Sequence, residues 1–234
     1  MSSVGNITER LVQLRLEIAE VCARCGRSPD QVAILAVTKT HPAEIVQQVV
    51  AAGLTDIGEN RIQEAEAKFA QIGQIATYHL IGHLQSNKAK KAVQLFDVIQ
   101  SVDSEAIAQE INKRAGEIAK QIDVLIEVNS SGEEQKFGIQ PSAALALATS
   151  IASLPNNRLI GLMTVGPLTD DPDRIRAAFL QCRELFTQMQ SRFGSQISVL
   201  SMGMSDDFPI AIEEGSTMIR VGTALFGPRP KPAA

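Results

Sequence analysis

No apolar run in this sequence is long enough to cross a bilayer, which takes about 20 residues. The N-terminal stretch MSSVGNITERLVQLRLE also lacks the basic, apolar and small-residue zones of a signal peptide. The expected compartment is therefore the cytoplasm, with no membrane contact. Positive charge is not in excess either. Against 22 Lys and Arg stand 26 Asp and Glu, a net charge of −4, and the isoelectric point is near 5.5. Nucleic-acid binders usually carry a basic face, so nucleic acid is not an expected partner. Cysteine is scarce, at three residues. Cys22 and Cys25 form a lone C-x-x-C, with neither a second pair nor a following histidine cluster. Both fall on the helical apolar stripe of Ile7, Leu11, Leu14, Ile18 and Val21, as Cys182 does among Ile175, Phe179, Leu185 and Met189. Core packing is the expected role of all three thiols. No spacing of His, Cys, Asp and Glu suits a metal. Linkers and low-complexity segments are missing too, so residues 1–234 read as one domain.

What is present is an ordinary globular composition, 44% hydrophobic and 21% charged. The chain is organised around VAILAVTKTH, residues 32–41. A short apolar run rich in β-branched residues predicts a strand buried on both faces. Side chains alternate along a strand, so Leu35, Val37 and Lys39 share a face and Lys39 stands at the strand's carboxyl end. Ligands bind at that end in α/β folds. A lysine there is either a strand-end residue whose charge snorkels to water or an amine used to attack a carbonyl.

An amphipathic helix over residues 5–25 comes first, ended by Gly26 and the turn at Ser28–Pro29. After the first strand, Pro42 suits the first turn of a helix that Gly53 stops. TDIG, YHLIG, DVIQSV, IDVLIEVN, RLIGLMTV, ISVLSMG and TMIRVG then predict seven more strands, each followed by a helical segment. The helix after Asp103–Ser104 is expected to carry Ile107, Ile111 and Ile118 on one face. Eight strand-then-helix units at this spacing imply parallel strands and right-handed crossovers. In one domain of this length they predict a closed (β/α)8 TIM barrel. An open doubly wound sheet is the fallback, but it lacks a G-x-G-x-x-G turn after the first strand. The N-terminal segment 1–30 should pack on the barrel as an extra helix, and the Pro-rich tail 228–234 should be flexible.

In such a barrel the strand ends converge, bringing together Lys39, Glu59–Asn60, His83, Asn129, Met163–Thr164, residues 202–205 and residues 220–223. Ser201-Met202-Gly203-Met204-Ser205 and Arg220-Val221-Gly222-Thr223 combine glycines with hydroxyls. They follow strands seven and eight, where barrels of this kind hold phosphate. A phosphate grip opposite a lysine suggests an aldehyde that carries a phosphate, and pyridoxal 5′-phosphate (PLP) meets both requirements. His79, within its strand, is expected to be packed and satisfied, whereas His83 is a ligand contact or a loop imidazole. Glu133 and Glu134 read as a solvated loop edge, and Lys136 as either rim or surface.

AVTKTH, DIGENRIQEA, YHLIGHLQSNK, GLMTV, LSMGMSDDF and IRVGTALFG resemble the pyridoxal phosphate homeostasis proteins, also called the proline synthetase co-transcribed family. The resemblance spans nearly the whole chain apart from its Pro-rich tail. It implies a fold-type III barrel like the N-terminal domain of alanine racemase, with Lys39 holding the cofactor as a Schiff base. It further implies that Ser205, Gly222 and Thr223 hold the phosphate with Met202 near it, and that Arg220 faces the pyridine nitrogen. Asn60 and His83 would lie beside the ring or its lysine. The implied role is in vitamin B6 and amino-acid/keto-acid balance, regulatory and without strong catalysis, as a monomer with PLP-dependent apoenzymes as recipients. The alternative is a fold-type III racemase or decarboxylase. After the eighth strand only PRPKPAA remains, with no second domain of the kind racemases use to supply an acid–base group, so the carrier is preferred. A third reading is a Schiff-base aldolase that uses Lys39 without a cofactor.

Overall fold

Each short apolar run becomes a strand, and each segment of 3.6-residue periodicity after it becomes a helix. The computed structural model describes residues 3–228, so positions 229–234 of the expected flexible tail lie outside the described residues. The chain begins with α1 (Ser3–Arg24) and continues through β1 (Ala33–Val37), α2 (Ala43–Ala51), β2 (Asp56–Glu59) and α3 (Ile62–Ile72). Next come β3 (Thr77–Leu80), α4 (Ala89–Leu95), β4 (Val98–Val102), α5 (Glu105–Gly116), β5 (Ile122–Glu127) and α6 (Ala144–Ala152). The last third holds β6 (Asn157–Met163), α7 (Pro172–Phe193), β7 (Val199–Ser201), α8 (Phe208–Glu213), β8 (Met218–Val221) and α9 (Thr223–Phe226). All strand pairs are parallel, and β8 pairs back onto β1 through Leu35↔Arg220 and Ala36↔Val221, closing an eight-stranded barrel.

The pleat divides the side chains between two layers. Ile34, Ala36, Ile57, Ile99, Leu200 and Ile219 point outward and pack under the helices in one continuous apolar cluster. A second, smaller cluster of Val98, Leu125 and Met163 fills the lumen. Burial on both sides is why the strands read as nearly unbroken apolar runs. Local signals set most helix ends. Ser104 accepts the Ile107 N–H at the start of α5, and Asp171 caps α7 by accepting from Asp173 and Arg174. Pro42 is the N-cap of α2, one residue earlier than a place inside its first turn. Ile118 does not join Ile107 and Ile111 in the core. It lies beyond the end of α5 and is exposed, where the chain turns into a left-handed Ala119 (φ 51°).

α1 packs against α8 and α9, burying Ile7, Leu11, Leu14, Ile18, Val21 and Cys22. Cys182 is also buried, Cys25 is half-buried, and all three thiols are free. Just past α1, Arg27 donates to the carbonyls of Ile212 (2.7 Å) and Ser216 (2.8 Å), tying the N-terminal layer to the end of α8. Among the described residues, no helix is long and apolar enough to cross a membrane.

Candidate functional site

A cavity of about 460 Å³ opens at the carboxyl ends of the strands, and its walls come from both sides of the barrel's closure. Lys39 and Val37 reach it from β1, Asn60 from the end of β2 and Ile81 from the end of β3. Ser205 enters after β7, and Arg220, Gly222 and Thr223 come from the end of β8. Six of the eight residues expected at a ligand site thus line one space. Met202 does not. Ser201 faces the lumen, where it bonds Gln100 and Arg220, so the next residue, Met202, faces outward and is fully buried under the helices. His83 lies next door, in a depression of about 230 Å³ that shares Asn60 with the main cavity. Its ring stacks on Phe137 at 3.9 Å between centroids, and its Nδ1 is 3.3 Å from Asp103.

Backbone geometry brings the two hydroxyls of the β7–β8 side together. Gly203 has φ 94°, and a Cβ there would stand 2.6 Å from that of Ala211, so the turn after β7 requires glycine. Ser205 follows, and its Oγ accepts the Ala224 N–H at 3.2 Å, linking the β7 turn to the start of α9. On the far wall, a Cβ at Gly82 would meet the Asn60 carbonyl at 2.2 Å. The ends of β2 and β3 close up around Asn60 because that side chain is missing.

Arg220 is the buried cation of the site. One terminal nitrogen donates to the Ser201 carbonyl (2.7 Å) and hydroxyl (2.9 Å), the other to the Thr164 carbonyl (2.7 Å). Burial brings its pKa down to about 10, opposed by the negative charges of Asp207 and Glu127, so it remains protonated at neutral pH. Behind it runs a polar chain through the lumen. The Ser201 hydroxyl donates to Gln100 Oε1 (2.7 Å), and Gln100 Nε2 lies 3.0 Å from His79 Nδ1. His79 Nε2 lies 2.9 Å from Asp56. With Gln100 donating to Nδ1, the imidazole proton sits on Nε2 and points at the carboxylate. His79 is therefore a satisfied interior residue.

Glu127, at the end of β5, is another buried group. Desolvation and the nearby Asp103 push its pKa up to about 7 against the pull of Arg220. Its Oε2 has no hydrogen-bond partner among the described residues. Lys136 pairs with Glu133 (2.7 Å) and donates to the Gly166 carbonyl (2.5 Å). Glu133 also accepts from the Leu168 N–H (3.2 Å), so it ties the loops after β5 and β6 together instead of forming a solvated edge. Glu134 is exposed. Among the described residues no group of His, Cys, Asp and Glu is placed to hold a metal ion.

Sequence reasoning missed Gln100 and Asp56 behind Arg220 and Glu127 beside it, and it counted the Ser201 hydroxyl in the phosphate turn, whereas Ser201 is buried and bonded to Gln100 and Arg220. The available signal was the pleat, because each is a polar residue on a lumenal position of a strand that otherwise reads as apolar.

An amine facing hydroxyls and a buried cation is an arrangement suited to an anionic carbonyl compound. The family model for the alanine racemase N-terminal domain matches residues 11–230. A pyridoxal phosphate homeostasis protein of Aquifex aeolicus is 40% identical over 225 residues, covering 96% of this chain and 99% of that one. This chain belongs to the pyridoxal phosphate homeostasis protein family. PipY of Synechococcus elongatus, solved with PLP bound, superposes with a TM-score of 0.82 at 38% identity, over 94% of this chain and 100% of that one. Beyond this family, alanine racemase of Clostridium difficile shares the barrel, with a TM-score of 0.79 at 15% identity, over 97% of this chain and 61% of the racemase.

Proposed function

We propose that this protein binds PLP in the barrel-mouth cavity, held covalently through Lys39, and acts as a carrier in vitamin B6 homeostasis. The observation behind this reading is the cavity itself: Lys39 from β1 and Ser205, Arg220, Gly222 and Thr223 from the β7–β8 side line one space. When bound, PLP supplies an electrophilic aldehyde, a phosphate and a pyridine ring. Lys39 provides the amine for the aldehyde. Ser205 and Thr223 donate hydroxyl hydrogens to the phosphate, and Gly222, with no side chain, lets backbone N–H groups approach. Arg220 faces the ring nitrogen as a donor, Asn60 flanks the ring or lysine, and His83 stands at the rim. Met202 supports the phosphate loop from behind.

Arg220 argues against strong electron-sink chemistry, although racemases of this fold tolerate such an arginine when a further acid–base partner is supplied. A strong electron sink needs a protonated ring nitrogen, usually paired with a carboxylate. A guanidinium has no acceptor and disfavours a second positive charge beside it. The protein accordingly acts as a monomeric, single-domain cytoplasmic carrier that passes its cofactor to PLP-dependent apoenzymes and keeps the aldehyde from stray amines.

Borohydride reduction of the loaded protein followed by peptide mass spectrometry tests this. The pyridoxyl group is expected on Lys39, and its recovery mainly on Lys136 or Lys88 would defeat the assignment. Turnover of any common amino acid at about 1 per second or faster would favour the enzyme.

A further inference from the structure

The residues on either side of Lys39 are fixed by side chains that belong to other elements. Lys68, on α3, is 7% exposed. It donates to the Thr38 carbonyl (2.7 Å) and to Glu59 Oε1 (2.6 Å). Glu59 is fully buried at the end of β2 and accepts from the Thr38 hydroxyl at 2.5 Å. The Thr38 carbonyl belongs to the peptide plane that precedes the Lys39 Cα. After Lys39 the chain enters a left-handed Thr40 with φ 67°. That conformation is an outlier for a β-branched residue and persists only where its surroundings enforce it. Here the Thr40 N–H donates to Glu64 Oε2 on α3 (3.1 Å), which holds the peptide plane following Lys39.

Both planes flanking the Lys39 Cα are therefore held by charge-assisted hydrogen bonds from α3, and together they set the direction of its Cα–Cβ bond. Stability alone is a poor reason for the Glu59–Lys68 pair, because apolar residues of similar volume often serve a core as well as a buried ion pair does. Glu59 also keeps a buried Oε2 without a partner among the described residues, so the pair is retained despite incomplete satisfaction.

We propose that Glu59, Lys68 and Glu64 are positioning residues that aim the Lys39 amine into the cavity. This rests on the reading of Lys39 as the point of covalent attachment. In that step the unprotonated amine adds to the aldehyde carbon, a C=N bond replaces C=O, and the carbonyl oxygen leaves as water with both amine hydrogens. A misdirected amine slows this addition without altering the walls that hold ring and phosphate.

The test mixes cofactor-free full-length protein with PLP, quenches with borohydride at intervals, and follows pyridoxyl-Lys39 by mass spectrometry. Pyridoxine 5′-phosphate, which has the ring and phosphate but no aldehyde, reports the state of the cavity through its affinity. Glu64→Ala, and Glu59→Leu combined with Lys68→Met, should slow attachment about ten- to a hundredfold while leaving pyridoxine 5′-phosphate affinity nearly unchanged. Glu64→Gln keeps an acceptor oxygen and should recover most of the rate. If the double variant does not fold, Glu64→Ala decides, since that side chain is 28% exposed. Wild-type rates in the folded variants overturn the proposal, and so do equal losses for both ligands, which would mark a structural role. Wild-type protein that binds pyridoxine 5′-phosphate but does not label Lys39 removes the covalent reading and this proposal with it. Wild-type protein that binds neither ligand removes the PLP reading altogether.

Discussion

On the proposed reading, Ser205 and Thr223, which line the cavity, carry the discrimination between a phosphate ester and its parent alcohol. Each hydroxyl bond to a phosphate should contribute about 0.5–3 kcal/mol, the upper values belonging to charge-assisted bonds. Replacing both by alanine should therefore weaken PLP far more than unphosphorylated pyridoxal in a binding titration. Equal losses would show that these loops do not grip the phosphate. Glu127 makes the opposite kind of contribution, a cost. Its folded pKa is raised to about 7 from an ordinary value of 4.5. The native state thus holds a proton that the unfolded chain releases, and stability attributable to this group is full below pH 4.5 and falls as pH rises towards 7. Glu127→Gln should match wild type near the lower end and exceed it by a few kcal/mol above the upper end, read from urea unfolding across that pH range. A constant difference at all pH values would mean that Glu127 titrates alike in the folded and unfolded states. Residues like this one were hard to see in the sequence. Lys39 stood out because a run of apolar residues leads straight to it, and Ser205, Gly222 and Thr223 because glycine and hydroxyl residues cluster after strands. Gln100 and Glu127 are marked only by their lumenal position, since their partners, Ser201 and Arg220, lie on other elements, and Glu59, expected among the converging strand ends, is instead buried against Lys68 of α3. Met202 follows a simpler rule. Strand parity alone puts its side chain on the opposite face from Ser201, away from the cavity lining.

Among the elements, α1 is the one whose contribution is least obvious from the barrel pattern. It comes before the first strand and, among the described residues, supplies none to the cavity, yet it packs on α8 and α9, the helices on either side of β8. Leu14, 2% exposed, sits in the middle of its buried stripe. Leu14→Ala should cost about 2–5 kcal/mol by lost transfer energy and the cavity left behind. Because α9 begins at Thr223, the same variant should also weaken PLP binding, whereas a comparable truncation on the far side of the barrel, Ile111→Ala in α5, should cost stability without lowering affinity. Equal effects on affinity would show that α1 does not support the phosphate side. All eight strands and the helices between them were legible because short apolar runs alternate with segments of 3.6-residue period along the chain. Their ends were less so. The strands end at Val37 and Glu127, one residue short of Thr38 and Val128, which still donate backbone hydrogen bonds to Gly58 and Met163 of the neighbouring strands. Ile118 kept the helical spacing of Ile107 and Ile111, but the helix ends at Gly116, and spacing cannot register that break.

For the molecule as a whole, the site lies across the place where the barrel closes. β7 is the shortest strand, three residues long, and is aligned with β8 at Ser201↔Met218. The longer β5 and β6, by comparison, are aligned from Ile122↔Asn157 to Glu127↔Met163. Side chains reinforce the short seam: the Ser216 hydroxyl donates to the Met202 carbonyl (2.7 Å), and Thr217 Oγ1 accepts the Leu200 N–H (2.8 Å). A ligand gripped by Ser205 after β7, by Thr223 after β8 and by Lys39 after β1 would bridge this seam and the β8–β1 closure together. Ligand that binds only the folded state adds about 2.7 kcal/mol at a hundredfold excess over Kd, and this slows exchange equally for amides that exchange only through global unfolding. Amides that exchange through local opening respond only if the ligand holds the part that opens. Saturating PLP should therefore give extra hydrogen-exchange protection to residues 199–205 and 218–226 and to the β1 end at 33–41. Locally opening amides of α5 and α6 should remain unchanged. Lys39→Ala should keep the protection on the β7–β8 side, the proposed phosphate grip, and lose it at 33–41. Protection in the variant that fell equally on both sides of the closure would mean that Lys39 and the phosphate loops do not act as separate anchors.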